Sequence, residues 1–95
     1  MAAPQDLSIR QLQYVVAVAD TLGFRRAAER CHVSQPTLSA QIKEIEGLLD
    51  VRIFDRDRRK VVLTRAGEAI VARARKVLAS VEELLAESRR GRAPF

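Results

Sequence analysis

Two short helical patterns that meet across a turn constrain the fold of this chain more than any other feature. The first pattern runs from Phe24 to Cys31, and the small residues at its centre allow a second helix to cross it closely. Ser34 can cap the second pattern, because its hydroxyl can accept from a free N–H of the first turn, and Pro36 follows where a missing N–H costs nothing. Residues 24–49 therefore predict a helix-turn-helix.

The second helix has two distinct faces. On a helical wheel with about 100° per residue, the large apolar residues of the second helix fall on one side. They are Leu38, Ile42, Ile45 and Leu49. The opposite side and the N-terminal turn carry amide, hydroxyl, small and basic groups, and no acid precedes Glu44. Such a face can enter the major groove of DNA without steric or electrostatic penalty. An ordinary amphipathic helix with a solvated polar face is the alternative.

Charge and composition restrict the function classes. The chain has 95 residues, of which 17 are basic and 12 acidic, for a net charge of +5. A small basic domain of this kind matches a polyanion electrostatically. Its single cysteine and single histidine are adjacent and have no evident acidic partner, which argues against a disulfide framework, a zinc site and a catalytic constellation. We therefore expect no enzyme activity, no cofactor and no metal.

The start of the chain carries no targeting signal that we can recognise. Residues 1–6 are too polar and too few for a signal peptide, and no apolar run approaches the roughly 18–20 residues of a membrane span. We therefore expect a cytoplasmic, nucleoid-associated protein with no membrane partner.

Further elements are expected on both sides of the helix pair. Apolar residues recur at helical spacing from Ile9 to Ala19, so we predict a helix that is capped by Ser8 or Asp6 and broken near Leu22 by Gly23.

Two β-branched segments, Val51–Phe54 and Val61–Leu63, predict a two-stranded wing with a charged tip between them. On that tip, Arg58 and Arg59 can meet phosphate or a narrow minor groove.

A long helix is predicted from Thr64 onward. At about 25 residues it would span roughly 37 Å, too long to pack entirely on so small a domain. The same helix of a second chain is the simplest partner for the uncovered apolar stripe, and the chain's own core is the alternative. The predicted dimerisation residues are Ile70, Ala74, Val77, Leu78, Val81, Leu84 and Leu85.

Together these segments resemble the N-terminal DNA-binding domain of the LysR-type transcriptional regulators, over about residues 7–90. The motifs that carry the resemblance are Leu12-x-Tyr14, Phe24-x-x-Ala27-Ala28, Val33-Ser34-Gln35-Pro36-x-Leu38-Ser39, Glu46, Phe54-x-Arg56 and Leu63-Thr64-x-Ala66-Gly67. Within that family, residues 24–28 and 31–39 are especially similar to the peroxide-sensing OxyR branch.

The resemblance implies a mainly α fold, a winged helix-turn-helix with a two-stranded β wing and a long C-terminal linker helix used for dimerisation. We expect the winged helix-turn-helix over residues 1–64, the linker helix over 65–90 and a frayed tail over 91–95. The family also carries a C-terminal effector domain, which we do not expect within these 95 residues. The matched motifs also imply that the second helix reads the major groove and that Arg56 meets the minor groove or backbone. Together with the helical wheel and the wing tip, they give these DNA-binding residues: Ser34, Gln35, Pro36, Thr37, Ser39, Lys43, Arg56, Arg58 and Arg59.

The function implied by the resemblance is binding of double-stranded promoter DNA with a partly palindromic site. The implied assembly is a homodimer, or a tetramer in the full-length protein, with RNA polymerase as a further partner of the intact protein. The OxyR-like stretches imply control of oxidative-stress genes. The alternatives are a LysR-type regulator that answers a small-molecule metabolite and a winged-helix protein-interaction module.

Two residues depart from the family pattern. Ala40 stands where many members have a longer polar side chain, which removes one base contact. Asp50 stands where a helix-ending glycine is usual, so we expect strain or fraying at that helix end.

The adjacent cysteine and histidine have no clear chemical task. Cys31 shares the apolar stripe with Phe24, which predicts a small core residue and not a redox sensor. The sequence leaves two roles for His32. It can contact a phosphate, or it can be a turn residue that is solvated or hydrogen-bonded to the backbone.

Overall fold

The computed structural model describes residues 7–57 and 60–91, which form four helices and one two-stranded sheet. The elements in chain order are α1 (Ile9–Thr21), α2 (Phe24–Cys31), α3 (Gln35–Leu49), β1 (Phe54–Asp57), β2 (Lys60–Leu63) and α4 (Arg65–Gly91). This is the mainly helical, winged helix-turn-helix architecture that the sequence predicts. Of the predicted tail 91–95, Gly91 is the last residue of α4, and 92–95 lie outside the described residues.

Helix α1 begins as predicted and ends differently. The Ser8 hydroxyl accepts from the Gln11 N–H at 3.1 Å, while the Gln11 side-chain oxygen accepts from the Ser8 N–H at 2.9 Å, so Ser8 closes a capping box. The alternative cap, Asp6, lies outside the described residues. The helix ends near Leu22, as predicted, but the break is made by Leu22 itself, which takes the left-handed conformation (φ 52°), while Gly23 is extended as the N-cap of α2.

Helix α3 is closed at both ends. The Ser34 hydroxyl accepts from the Thr37 N–H at 3.2 Å, as predicted for the N-cap. At the other end Asp50 is left-handed (φ 54°), and the Val51 N–H reaches back to the Glu46 carbonyl at 3.1 Å. Because this bond satisfies a terminal carbonyl, the predicted fraying is not observed, although the left-handed backbone remains less favourable for aspartate than for glycine.

The core lies between the first three helices and the start of α4. Its fully buried side chains are Val15, Val18, Leu38, Ile42, Ile45 and Ile53. Helix α1 packs against α2, α3 and α4, and thus covers the back of the helix-turn-helix.

On the surface, the Asp20 carboxylate of α1 accepts from Arg30 of α2 at 3.3 Å and from Arg75 of α4 at 2.6 Å, which joins three helices.

The wing starts later than the sequence predicts. The strands pair antiparallel from Phe54↔Leu63 to Asp57↔Lys60, so the prediction of a first strand over Val51–Phe54 was wrong by three residues. The reason is that the N–H groups of Ile53 and Phe54 donate to the Glu46 carboxylate, at 2.8 and 3.1 Å. Those donors anchor the segment to α3, so residues before Phe54 do not join the ladder, which begins at Phe54 itself.

Helix α4 starts in contact with the same segment. The Thr64 N–H donates to the Ile53 carbonyl at 3.0 Å, and the Thr64 hydroxyl accepts from the Gly67 N–H at 2.8 Å. A Cβ on Gly67 would lie 2.1 Å from the Ile53 carbonyl oxygen. Only glycine therefore allows α4 to approach this closely.

Gly67→Ala should lower the free energy of unfolding by about 1–3 kcal/mol, because the helix must move off the Ile53 backbone. Gly47→Ala is the matched control, since a Cβ there meets nothing within 4 Å on an exposed helix position. It should raise stability by about 0.5–1 kcal/mol through helix propensity. Urea denaturation of both variants measures the difference, and an equal effect of the two substitutions would contradict the close approach.

Candidate nucleic-acid interface

Helix α3 presents the face that the sequence predicts. Leu38, Ile42 and Ile45 are buried against the core. The side chains predicted to contact DNA from this helix are exposed, except for half-buried Ser39; they are Gln35, Pro36, Thr37, Ser39 and Lys43. The exposed amide of Gln35 can both donate and accept, which suits the edge of a base.

The Ser34 hydroxyl forms its hydrogen bonds within the first turn of α3. Its hydroxyl accepts from the Thr37 N–H and also donates to the Thr37 hydroxyl at 2.9 Å. Thr37 keeps its own hydroxyl hydrogen for another acceptor. The predicted DNA-binding residue Ser34 therefore serves first as a cap, and Thr37 offers the donor.

A polar cleft lies beside the start of α3, and sequence reasoning missed two of its arginines. The cleft is lined by Thr21, Leu22, Gly23, Phe24, Arg25, Arg26, Gln35, Arg56 and Val61. It gathers three arginines, from the start of α2 and from the wing, around the first residue of α3. Three positive side chains grouped beside an exposed amide have the charge and the donors to hold a phosphate. The adjacent arginines at the start of α2 were a visible signal, but only the packing of α2 against α3 and the wing shows where they point.

The wing arginine of this cleft is in contact with an aromatic ring. The Arg56 Cζ lies 4.0 Å from the centroid of the Phe24 ring. Phe24 in turn meets Phe54 edge to face, with 6.3 Å between ring centroids and 77° between planes. Arg56 is exposed to solvent at the edge of the sheet. The two other arginines predicted on the wing, Arg58 and Arg59, lie outside the described residues.

The C-terminal half of α4 leaves apolar surface uncovered. Leu84 is 68% exposed, Val77 44% and Leu85 43%. Val81 and Leu78 are half-buried beside α1, where they line a shallow groove with Ile9. Ala74, by contrast, is buried within the single chain, and Ile70 packs against the core cluster. These two of the predicted dimerisation residues have little area left for a partner.

Cys31 and His32 lie at the C-terminal end of α2, where Cys31 is the last helical residue and His32 the C-cap. Cys31 is half-buried and packs against the core cluster, and burial raises the pKa of its thiol more than the nearby Arg10 and Arg30 lower it. His32 is exposed and left-handed (φ 59°), and its backbone N–H closes the end of α2. Within residues 7–57 and 60–91, no three histidine, cysteine or acidic side chains come together as a metal site. No helix in the described part of the chain is long and apolar enough to cross a membrane.

Because its thiol is partly buried and protonated at neutral pH, Cys31 should be alkylated at least about tenfold more slowly than free cysteine. The rate of reaction with iodoacetamide at pH 7.5 measures this, and unfolding in guanidinium should restore the free-cysteine rate. A folded-state rate equal to that of free cysteine would show an accessible, reactive thiol.

Comparison with known proteins gives one consistent family. A model described as "Bacterial regulatory helix-turn-helix protein, lysR family" matches residues 9–68. The chain is 51% identical over 78 residues to the DNA-binding transcriptional dual regulator OxyR of Escherichia coli K12, which covers 82% of this chain and 26% of that protein. The chain thus spans about a quarter of the length of this curated relative.

Solved structures agree with the sequence match. A full-length OxyR variant from Pseudomonas aeruginosa superposes with a TM-score of 0.86 at 45% identity, over 90% of this chain and 29% of that one. The DNA-binding domain of BenM in complex with benA site 1 DNA superposes with a TM-score of 0.88 at 30% identity, over 94% of this chain and 100% of that one. The second comparison covers the whole of a domain that was solved on DNA.

Proposed function

The chain belongs to the lysR family of bacterial regulatory helix-turn-helix proteins, and we propose that it binds double-stranded DNA in a sequence-specific manner. The observation that carries this proposal is the exposed polar face of α3, flanked by the arginines of the α2–wing cleft. The family is one of transcriptional regulators and not of enzymes. BenM, whose DNA-binding domain was solved on DNA, has the same fold.

In this proposal α3 enters the major groove of the DNA, and the wing contacts the sugar–phosphate backbone. Gln35, Thr37 and Ser39 read base edges, with Pro36 packing at the groove and Lys43 one turn further on. Arg56 meets phosphate or the minor groove, as do Arg58 and Arg59 at the wing tip. Ala40 contributes no polar contact.

The polar face of α3 disfavours a protein-interaction module. Protein interfaces are usually centred on buried aromatic or aliphatic anchors. The exposed side of α3 offers amide, hydroxyl and ammonium groups instead, from Gln35 to Lys43. These groups satisfy base edges and phosphates better than an apolar partner surface.

We further propose that the domain forms a homodimer through the C-terminal half of α4. Its exposed seam consists of Val77, Leu84 and Leu85, with half-buried Leu78 and Val81 at its edge. The helix is basic in the middle, at Arg73 and Lys76, acidic further on, at Glu82, Glu83 and Glu87, and basic again in its last turn, at Arg89 and Arg90. A twofold dimer of this kind presents two copies of α3 to a partly palindromic site.

The identity to OxyR supports a role for the intact protein in controlling oxidative-stress genes from the bacterial cytoplasm. In this proposal the protein acts as a tetramer at a promoter, in contact with RNA polymerase. Residues 1–64 form the DNA-binding unit and residues 65–90 the linker helix. Because Cys31 is partly buried with a raised thiol pKa, the peroxide signal would be received outside residues 7–91.

Gln35→Ala should weaken binding to the cognate site by about 1–3 kcal/mol and barely change the affinity for random DNA, because it removes a base contact and leaves phosphate contacts in place. The cognate site is obtained first by selection from a random DNA library. Fluorescence anisotropy on cognate and random duplexes then gives both affinities. Gln13→Ala, an exposed amide on α1 away from α3, should change neither. Equal losses on both duplexes would contradict a reading role for Gln35.

Leu84→Asp should raise the dimer dissociation constant at least about tenfold, because a carboxylate would replace the most exposed apolar side chain of the seam. Ala72→Asp adds the same charge at an exposed position of α4 off the seam and should leave the dimer intact. Sedimentation equilibrium separates the two variants. An unchanged dimer in Leu84→Asp would refute the proposed interface.

A further inference from the structure

We propose that Phe24 is a positioning residue that holds the guanidinium of Arg56 where a DNA backbone phosphate can reach it. This inference rests on the proposed DNA binding and assigns a task to a side chain that touches no DNA itself. Phe24 is only 7% exposed, so its ring offers one face to the cleft and no surface to a groove.

The ring is a fixed support. It is packed in the core cluster with Ala27 and Ala28, and it makes an edge-to-face contact with Phe54 at 6.3 Å between ring centroids. Phe54 is the first residue of β1, and Arg56 lies two residues further on the same strand. Side chains two apart on a strand share a face. The strand therefore delivers Arg56 to the same side as the aromatic pair.

The contact holds the cation without using its donors. The guanidinium carbon is 4.0 Å from the Phe24 centroid, well inside the roughly 6 Å range of a cation–π interaction. A guanidinium that rests on a ring face keeps its N–H groups for a phosphate. Among the described residues, the Arg56 side chain makes no hydrogen bond and no ion pair; the neighbouring Arg52 pairs with Asp55 at 3.8 Å.

A second arginine in this chain shows the contrast. Arg10 lies over the Tyr14 ring at 5.6 Å, but its Nε also donates to the Tyr14 hydroxyl at 3.0 Å. One N–H donor of Arg10 is therefore already engaged in a hydrogen bond within the protein. Phenylalanine at position 24 cannot accept in this way, so it holds Arg56 and leaves all of its donors available.

Holding the side chain lowers the entropic cost of binding. An arginine that is free in solution loses rotamer freedom when it meets phosphate, and a held one has already lost it. Because the cleft also contains Arg25, Arg26 and Gln35, a phosphate bound there lies beside the first residue of α3. The held Arg56 therefore helps to set the register in which α3 meets the bases.

The test replaces Phe24 with phenylalanine analogues that carry increasing numbers of ring fluorines, which weaken the negative face of the ring with little change in size. Affinity for random and cognate DNA should fall together along the series, by about two- to five-fold in total. The ring-current shift of the Arg56 side-chain protons in the DNA-free protein should decline in parallel. Thermal denaturation identifies any analogue that loses the fold, and the remaining members of the series carry the comparison.

Two controls separate positioning from core packing. The same fluorine series at Phe54, which touches Phe24 and is not stacked on Arg56, should leave DNA affinity unchanged. In an Arg56→Ala background, fluorination of Phe24 should no longer affect affinity. A flat series at Phe24 with DNA binding intact, a matching decline at Phe54, or a dependence that survives Arg56→Ala would each overturn the positioning role. Failure of the unaltered protein to bind any duplex would instead overturn the proposed function.

Discussion

The mutual placement of α3, the wing and α4 depends on how the backbone of Ile53 and Phe54 is held. Their N–H groups donate to the Glu46 carboxylate of α3, and the Ile53 carbonyl accepts from Thr64 at the start of α4. Hydrogen bonds to a charged acceptor are stronger than neutral ones, and Ile53 is itself fully buried. The absence of a side chain on Gly67 then lets α4 rest directly on this segment. One short stretch of chain thus ties the recognition helix, the wing and the linker helix together.

This tie matters because base contacts and phosphate contacts come from different elements. Phosphate contacts set the register of a protein on the duplex, and base contacts carry the sequence information only in that register. In this chain the proposed base reader Gln35 belongs to α3, whereas the proposed phosphate anchor Arg56 belongs to the wing. The Glu46 carboxylate of α3 joins these two elements, because it accepts from the Phe54 N–H at the start of the wing. The Phe24 ring contacts Arg56 from the side of α2. In the proposed complex, helix α2 therefore contributes to DNA binding through its support of Arg56 as well as through its own arginines.

Local features of the fold could be predicted from the sequence, and the long-range ones could not. The caps at Ser8 and Ser34 and the two faces of α3 depend on residues three or four apart, so the residue pattern predicts them. The delayed start of β1 depends on Glu46, seven residues before Ile53, and no strand propensity reveals that hydrogen bond. Leu22 adopts a left-handed backbone although glycine follows it, because Gly23 is needed in extended form to start α2. In the candidate site, the exposed polar face of α3 could be predicted from the sequence, but the meeting of Arg25, Arg26 and Arg56 depends on the packing of α2 against the wing.

Because α4 is long, a small change in its direction near its start produces a large displacement at its far end. No glycine or proline interrupts it between Gly67 and Gly91, so the direction set at Gly67 is carried along the helix. At 1.5 Å per residue, Leu84 lies about 25 Å beyond Gly67, and a tilt of about 10° would move it by roughly 4 Å. Buried Ala74 and the Arg75–Asp20 ion pair hold that direction midway along the helix. If the proposed dimer forms through Leu84 and its neighbours, the separation of the two copies of α3 is set by these few contacts and not by the dimer seam alone.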